Sequence, residues 1–447
     1  METVELFLGR LVSFLVVLSI VVIIHELGHF ASAKFFRIRV DVFSMGFGRR
    51  IFGVRRGETD YRFSAIPLGG YVKLAGEQAE DATGKADEFQ SHPRWQRIIV
   101  YVMGPTMNVV LSLGLFSASY MAGVSVPAYR DEPPRIGFVE ADSPARKAGL
   151  AVGDMLLEID GRKVPTWNDV DLVISTSPRK ELRVTVERDG KPIDVPMTTD
   201  SKTRYSIGYA GFQPAIPAVV EIVSNGMPAA RAGLQKGDRI VALNGVAIGT
   251  FQQMSGMIRS SPGKEMLFSI ERGGALIEKR ITPADEKGIG RIGVSPYQPS
   301  VVKVYSFFPA IGEGAKQCWE MSTLVLEILK KYARREMPLS SLSGPLDIAA
   351  ISYSFASSGL AAFIAFVAAI SLQLGIINMV PIPVLDGGHV FILLLESGAR
   401  RDFSLKIKER ILQVGFVLLV ALMLFVVIND VVKFLPESMY KYVPWRD

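Results

Sequence analysis

Four long apolar segments constrain this chain more than any other feature of its sequence. They lie at about 11–30, 98–122, 360–380 and 411–428, and each is long enough for a helix that crosses a bilayer. A buried helix of a water-soluble protein is the alternative for any one of them, but four in 447 residues make it a poor one. No basic leader or small-residue cleavage site accompanies the first segment, so we expect a retained span. The sequence predicts a polytopic α-helical membrane protein.

The basic residues predict the orientation of the four spans. Two loops, one between spans one and two and the other between spans three and four, are rich in arginine and lysine. The positive-inside rule places both loops in the cytoplasm, so the termini and the long segment 123–359 are expected outside. The net charge of +6 is thereby explained, and no motif for nucleic-acid binding accompanies it. The basic residues are Lys34, Arg37, Arg39, Arg49, Arg50, Arg55 and Arg56 in the first loop and Arg400, Arg401, Lys406, Lys408 and Arg410 in the second.

The outer segment contains a tandem repeat with an offset of 84 residues. The offset relates Pro144 to Pro228, Gly153 to Gly237 and Gly161 to Gly245, and a period this long indicates two domains in tandem. Each copy resembles a PDZ domain of the bacterial type. PDZ domains bind peptides by adding a strand to a sheet edge, so peptide C-termini or substrate segments are the expected partners. A spacer or size-exclusion role is the alternative.

These patterns divide the chain into five segments. The stretch 306–337 is expected to form an amphipathic helix, either lying on the outer membrane surface or simply packing against the protein. The predicted segments are a first membrane half at 1–122, a first PDZ domain at 127–205, a second at 214–297, a helical linker at 298–359 and a second membrane half at 360–447.

A His-Glu-Leu-Gly-His motif at the end of the first apolar run carries the chemistry. Residues four apart lie on one face of a helix, so His25 and His29 can bind one metal ion. Glu26 stands where it can act as the general base of a metalloprotease. Ionisable groups inside a membrane span are costly and usually functional. A chance occurrence of this motif is therefore a poor alternative to metal binding.

Two histidines leave a catalytic zinc ion short of one protein ligand. We choose Asp386, an acidic residue at membrane depth on a stretch that Pro381 and Pro383 keep from forming a regular helix. His389 is the competing candidate, or a residue that supports a ligand, and His92 is a further one. A helix N-cap is the alternative role for Asp386.

The two motifs together resemble the site-2 protease family of zinc intramembrane metalloproteases. The resemblance rests on the His25–His29 motif and on Asn378 to Gly387, with further matches at Phe43–Gly48 and Pro67–Lys73. It implies one zinc ion held by His25, His29 and Asp386. It further implies that Glu26 is the catalytic base and that Asn378 engages the substrate backbone, although Asn378 could instead form a hydrogen bond between helices.

The same resemblance implies a substrate class and a location. The expected reaction is cleavage of single-span membrane proteins that another protease has already shortened, such as anti-sigma factors, and of leftover signal peptides. The expected location is the bacterial inner membrane, with the repeats on the periplasmic side.

A pair of short strands is expected near the metal site. Tyr61–Ile66 and Tyr71–Leu74 read as strands joined by a turn at Pro67 to Gly70. Such a membrane-associated hairpin could hold an unwound substrate in an extended form through Tyr71 and Val72. The stretch from 78 to 89 is expected to be a polar loop.

Three other functions are weighed against this one. A peptidase that cuts soluble proteins would carry its motif in a polar domain rather than after an apolar run. A non-enzymatic PDZ scaffold with a vestigial site would be free to lose Glu26, which is present. A transporter would be expected to show an inverted repeat, and none is evident.

The single cysteine, Cys318, excludes an intramolecular disulfide and a multi-cysteine zinc site.

Overall fold

A computed structural model describes residues 2–78, 81–201, 207–286 and 288–433. The chain divides into two compact units. The helical unit comprises Met1–Val124 and Lys303–Asp447, and the inserted unit comprises Ser125–Val302. The final part of the expected segment 127–205, residues 79–80 of the expected polar loop and residues 434–447 of the last segment lie outside the described residues.

The helices are numbered along the described part of the chain. They are α1 (Glu2–Phe35), α2 (Arg94–Ala122), α3 (Pro144–Lys147), α4 (Trp167–Ser175), α5 (Pro228–Arg231), α6 (Phe251–Arg259), α7 (Phe307–Ala333), α8 (Pro345–Ser357), α9 (Leu360–Asn378), α10 (Asp386–Ala399) and α11 (Leu405–Lys433). Short 3-10 turns occupy Phe89–Ser91, Ala128–Asp131 and Leu339–Ser341.

The strands are numbered in the same way. They are β1 (Val40–Arg56), β2 (Thr59–Leu74), β3 (Val124–Pro127), β4 (Phe138–Val139), β5 (Met155–Ile159), β6 (Arg162–Lys163), β7 (Glu181–Arg188), β8 (Lys191–Thr198), β9 (Asp200–Ser201), β10 (Gly208–Tyr209), β11 (Phe212–Gln213), β12 (Val220–Val223), β13 (Arg239–Leu243), β14 (Val246–Ala247), β15 (Met266–Arg272), β16 (Ala275–Ile281), β17 (Ala284–Glu286), β18 (Ile289–Arg291), β19 (Val294–Pro296) and β20 (Ser300–Lys303).

Four helices in the described residues are long and apolar enough to cross a membrane. They are α1, α2, α9 and α11, so the prediction of four membrane helices is confirmed. Helices α1 and α11 extend beyond the predicted apolar runs, because hydrogen bonding along a helix does not stop where hydrophobicity does. Helix α2 begins directly after Pro93, which cannot donate a backbone hydrogen bond.

Helix α2 is the centre of the helical unit, where it packs against α1, α7, α9 and α10. Small residues allow the helix backbones to approach closely. A Cβ atom on Gly28 of α1 would lie 2.2 Å from the Met103 carbonyl oxygen, and one on Gly375 of α9 would lie 3.0 Å from that of Pro105. These contacts bring α1 and α9 against the same stretch of α2.

Strands β1 and β2 form an irregular antiparallel sheet next to α1. The first part of β1 has two sets of partners, because Phe43 pairs with both Tyr61 and Val72. The predicted pairing of the two segments in a hairpin is therefore wrong. The segments Tyr61–Ile66 and Tyr71–Leu74 both belong to β2, and each pairs with β1 rather than with the other. Sequence alternation identifies strands but carries no information on which strands pair.

The two repeats of the inserted unit have the same order of elements. The first copy forms a four-stranded sheet in the order β6-β5-β7-β8, and the second forms one in the order β14-β13-β15-β16. Each sheet packs with a short helix, α4 or α6, around its own apolar core. The largest core side chains include Trp167, Leu156 and Leu182 in the first copy and Phe268, Met254 and Leu243 in the second.

An ion pair between a partly exposed arginine and a buried aspartate recurs at the same place in both copies. Arg188 donates to Asp154 at 2.6 Å, and Arg272 donates to Asp238 at 2.6 Å. The Arg188 bond holds the pKa of the Asp154 carboxyl below its usual value. Burial favours the neutral form of Asp238, but the Arg272 bond outweighs it and the pKa of Asp238 is also lowered. Each pair therefore contributes stability at neutral pH that is lost as the pH falls toward the lowered pKa.

The segment between the repeats and the third span contains two helices, α7 and α8, where a single one was expected. Helix α7 packs on α2, and its buried residues are Ala310, Gly314 and Cys318. Helix α8 is tied to the end of α11. The carboxylate of Asp430 accepts hydrogen bonds from the backbone at the start of α8, and Lys433 donates to Asp347 at 2.6 Å.

Candidate metal centre

The two motif histidines lie one turn apart on α1 and face the same direction. Their ring centroids are 4.8 Å apart, and the Nε2 atoms of His25 and His29 are separated by 3.2 Å. His25 is buried, with 6% of its surface exposed. The helical spacing of four residues produces this arrangement.

The carboxylate that faces these histidines comes from a different helix. Helix α9 ends at Asn378, an irregular segment follows, and Asp386 is the first residue of α10. Leu385 rather than Asp386 holds the N-cap position of α10. The irregular segment folds back on the first turn of α10 so closely that a Cβ atom on Gly387 would lie 2.3 Å from the Met379 carbonyl oxygen. Glycine is therefore required beside Asp386.

Backbone strain is present immediately before this carboxylate. Val384 has a φ of 87°, a conformation that a β-branched residue adopts only when its surroundings enforce it. Pro383, its neighbour, packs against α11, where a Cβ atom on Gly415 would lie 2.3 Å from the proline Cβ. The surrounding helices thus hold Asp386 in a position that the local sequence does not favour.

The three side chains have the spacing of a metal-binding set. The distance from His25 Nε2 to Asp386 Oδ2 is 3.0 Å, and that from His29 Nε2 to Asp386 Oδ1 is 3.5 Å. Zinc bonds of about 2.0–2.1 Å in a tetrahedron place the ligand atoms about 3.3 Å apart. The residues present therefore fit a zinc ion. Within the described residues, His25, His29 and Asp386 form the group of three whose ligand atoms lie close enough together to hold one metal ion.

The imidazole of His29 is oriented by α2. Its Nδ1 lies 2.8 Å from the Val100 carbonyl oxygen. Because a carbonyl only accepts, Nδ1 carries the proton and Nε2 keeps its lone pair for a metal. A Cβ atom on Gly104 of α2 would lie 2.3 Å from His29 Nε2, so a side chain at this position would collide with the imidazole of His29.

A cleft of about 320 Å³ opens beside the three side chains. All seven residues predicted for the site contribute to its lining, and the amide Nδ2 of Asn378 is 3.4 Å from His25 Nε2. Tyr71 stacks on Phe47, with the ring centroids 5.9 Å apart. The predicted residues that line the cleft are His25, Glu26, His29, Tyr71, Val72, Asn378 and Asp386.

The competing histidines lie outside this group of three. His389 lines the cleft but stacks on Tyr101, with ring centroids 4.7 Å apart. His92 lies in the loop before α2, where its Nδ1 is 2.7 Å from Gln96 Oε1.

Other residues of the cleft were not singled out from the sequence. Glu77 and Tyr101 line it, and the Tyr101 hydroxyl lies 3.5 Å from Glu77 Oε1. Gly104 and Val100 contact the histidines from α2. The small-residue positions of α2 were a usable signal for close helix packing, but nothing in the sequence indicates which helix they face.

Membrane helices that bring two histidines, a carboxylate and an adjacent glutamate into one cleft define a membrane metalloprotease. Comparison with known proteins leads to the same class. The model of peptidase family M50 matches residues 13–422 of this chain. The chain belongs to this family.

Several bacterial proteins are similar over nearly the full length. The regulator of sigma-E protease RseP of Escherichia coli is 32% identical over 95% of this chain and 98% of its own. A protein of Vibrio cholerae named as a candidate zinc metalloprotease is 31% identical over 95% and 98%. Among solved structures, the PDZ domain of the SdrC-like protein of Listeria monocytogenes matches 19% of this chain and 90% of its own, at 25% identity and a TM-score of 0.17.

We expect Gly104→Ala to lower zinc affinity by at least about tenfold, because the added methyl group would displace His29 from its position. Gly114→Ala on the same helix is the matched control, since a Cβ atom there meets nothing within 4 Å. Chelator competition on the purified proteins measures both. Equal zinc affinities for the two variants would contradict the close contact between α2 and the two motif histidines.

Proposed function

We propose that this chain is a zinc-dependent intramembrane endopeptidase that cleaves single-span membrane proteins. The observation that carries the proposal is the position of the three candidate metal ligands. His25 and His29 lie on a helix of membrane-spanning length, and Asp386 meets them in the same cleft as Glu26. Because α1 and α9 are long and apolar enough to span a membrane, we infer that the cleft lies within the bilayer, which favours membrane segments as substrates over soluble proteins.

We assign His25, His29 and Asp386 as the ligands of one zinc ion and Glu26 as the catalytic base. When bound, zinc supplies a Lewis acid that polarises the scissile carbonyl group and makes an attacking water more acidic. The Glu26 carboxylate takes a proton from this water and delivers it to the leaving nitrogen. Asn378, whose amide lies at the same cleft, donates a hydrogen bond to the substrate backbone.

A helical substrate must unwind before its peptide bonds become accessible, and we propose that β2 holds the unwound segment. The end of β2 passes beside the base, since a Cβ atom on Gly70 would lie 3.7 Å from Glu26 Cγ. Tyr71 and Val72 line the cleft directly after it. A substrate strand that pairs with this part of β2 would place its backbone next to the base and the ligands.

The names of the relatives support one substrate class. The Escherichia coli protein is named a regulator of sigma-E protease, which supports membrane-bound anti-sigma factors as the substrates of this chain. We propose that such substrates arrive already shortened by another protease, and that leftover signal peptides form a second group. The bacterial relatives also support the inner membrane as the location.

The inserted unit is proposed to be a pair of PDZ domains at 127–205 and 214–297. Both copies contain a four-stranded sheet, a helix of nine residues and a conserved ion pair between equivalent elements. Their role would be to bind peptide C-termini or substrate segments. The basic loops support a cytoplasmic position for β1 and β2 and a periplasmic position for the repeats and the termini.

Cleavage of a purified single-span substrate in detergent tests the central proposal. We expect the wild-type protein to cleave it and Glu26→Gln to be inactive while retaining zinc, because glutamine cannot accept the proton. Zinc is measured in both proteins, and a soluble unfolded protein serves as the second substrate. Preferential cleavage of the soluble protein, or full activity of Glu26→Gln, would overturn the proposal.

The role of β2 is tested with two substitutions at one position. Val72→Pro removes a backbone N–H group that hydrogen-bonds to the Glu26 carboxylate and that pairing with a substrate strand would use, so cleavage is expected to fall severely while the zinc content stays normal. Val72→Ala keeps this group and should remain active. Cleavage by Val72→Pro at the rate of Val72→Ala would argue against strand addition.

The proposed orientation is tested by cysteine labelling in a Cys318→Ala background. Leu276→Cys, in the second repeat, should react with a membrane-impermeant maleimide in intact spheroplasts. Val54→Cys, in β1, should react only after the membrane is permeabilised. Both side chains are well exposed, at 69% and 71%, so the reverse pattern would mean the reverse orientation.

A further inference from the structure

A buried asparagine on α2 stands behind the first motif histidine. The side chain of Asn108 is fully buried, and its Nδ2 lies 3.1 Å from His25 Nδ1. The other amide atom, Oδ1, is buried and has no hydrogen-bond partner within the described residues. A buried amide oxygen without a partner is costly, so this residue requires an explanation beyond packing.

The two ring nitrogens of His25 face different surroundings. Nε2 points toward the carboxylate of Asp386 and the amide of Asn378, whereas Nδ1 points toward Asn108 alone among the described contacts. A neutral imidazole that offers the lone pair of Nε2 to a metal carries its proton on Nδ1. That proton needs an acceptor, and Asn108 is the side chain beside it.

The amide of Asn108 can supply this acceptor. Its nitrogen and oxygen atoms have nearly the same size, and their assignment depends on the hydrogen-bond network around them. A half-turn about the Cβ–Cγ bond brings Oδ1 to the position beside Nδ1 and gives the orphaned oxygen a partner. His29 shows the same arrangement one helical turn away, where Nδ1 donates to the Val100 carbonyl at 2.8 Å.

We propose that Asn108 is a positioning residue for the metal centre. Its Oδ1 accepts the Nδ1 proton of His25 and so directs Nε2 toward the metal. This inference rests on the proposed ligand set and adds a residue from α2. Both imidazoles are then oriented by the same helix, His29 through a backbone carbonyl and His25 through a side chain.

The position of Asn108 is itself fixed by α9. The Ser371 hydroxyl donates to the Asn108 carbonyl oxygen at 2.9 Å, and a Cβ atom on Gly375 would lie 3.3 Å from the Asn108 Cβ. Asn108 therefore links the ligand helix α1 to α9, which ends at Asn378 in the cleft.

Zinc affinity measured by chelator competition tests the assignment in the full-length protein in detergent. Asn108→Leu keeps the size of the side chain but removes the acceptor, and we expect zinc to bind about 10- to 100-fold more weakly, as for other residues that support a metal ligand. Asn108→Asp restores an acceptor, and its affinity should equal or exceed that of the wild type. Ser112→Ala, which removes a buried hydroxyl group one helical turn further along α2, should leave the zinc affinity unchanged.

The outcomes separate this inference from the ligand assignment. Wild-type affinity for Asn108→Leu, together with weak binding by His25→Ala, would overturn the role of Asn108 and leave the ligands intact. Unchanged affinity for His25→Ala would overturn the ligand set itself. Equal losses in the leucine and aspartate variants would mean that Asn108 acts through packing. Should the leucine variant not fold, as judged by circular dichroism, Asn108→Ala provides the same comparison.

Discussion

Placing ionisable side chains inside membrane-spanning helices is the constraint on which this structure depends. No bulk water is available there to satisfy a polar group, so each one needs a partner from the protein. Helix α2 supplies partners and space for the two motif histidines. The Val100 carbonyl oxygen accepts from His29, Asn108 faces His25, and Gly104 leaves the space that both imidazoles occupy. Helix α2, which contributes neither the histidines nor Asp386, is therefore the helix that positions both imidazoles.

The same constraint explains where irregular backbone is tolerated. The segment between α9 and α10 lacks regular helical hydrogen bonding, and irregular backbone next to membrane-spanning helices is acceptable only where protein surrounds it. Gly387 and Gly388 allow it to pack on α10, and Pro383 packs against Gly415 of α11. The strained Val384 persists because these contacts over-determine it. Strain near Asp386 is thus a consequence of bringing a carboxylate to two histidines on another helix.

The inserted unit is held together by the interactions that are typical of water-soluble domains. Each copy has its own apolar core. An arginine at the end of the third sheet strand binds the aspartate that follows Gly153 in the first copy and Gly237 in the second. Arg188 also donates to the Gly149 carbonyl oxygen, as Arg272 does to that of Gly233, both at 2.9 Å. The repeated sequence pattern therefore corresponds to a repeated set of contacts.

The sequence alone determined the features that depend on local periodicity: four membrane helices, the histidine pair one turn apart, and a repeat of 84 residues. It also pointed to Asp386, because prolines interrupt a membrane segment there. Only the tertiary structure decided which distant groups meet. It brings Asp386 rather than His389 to the histidines and pairs both halves of β2 with β1. It also sets Gly104 and Asn108 against the same two histidines. Such contacts join residues tens to hundreds of positions apart, and hydrophobic period or propensity carries no information about them.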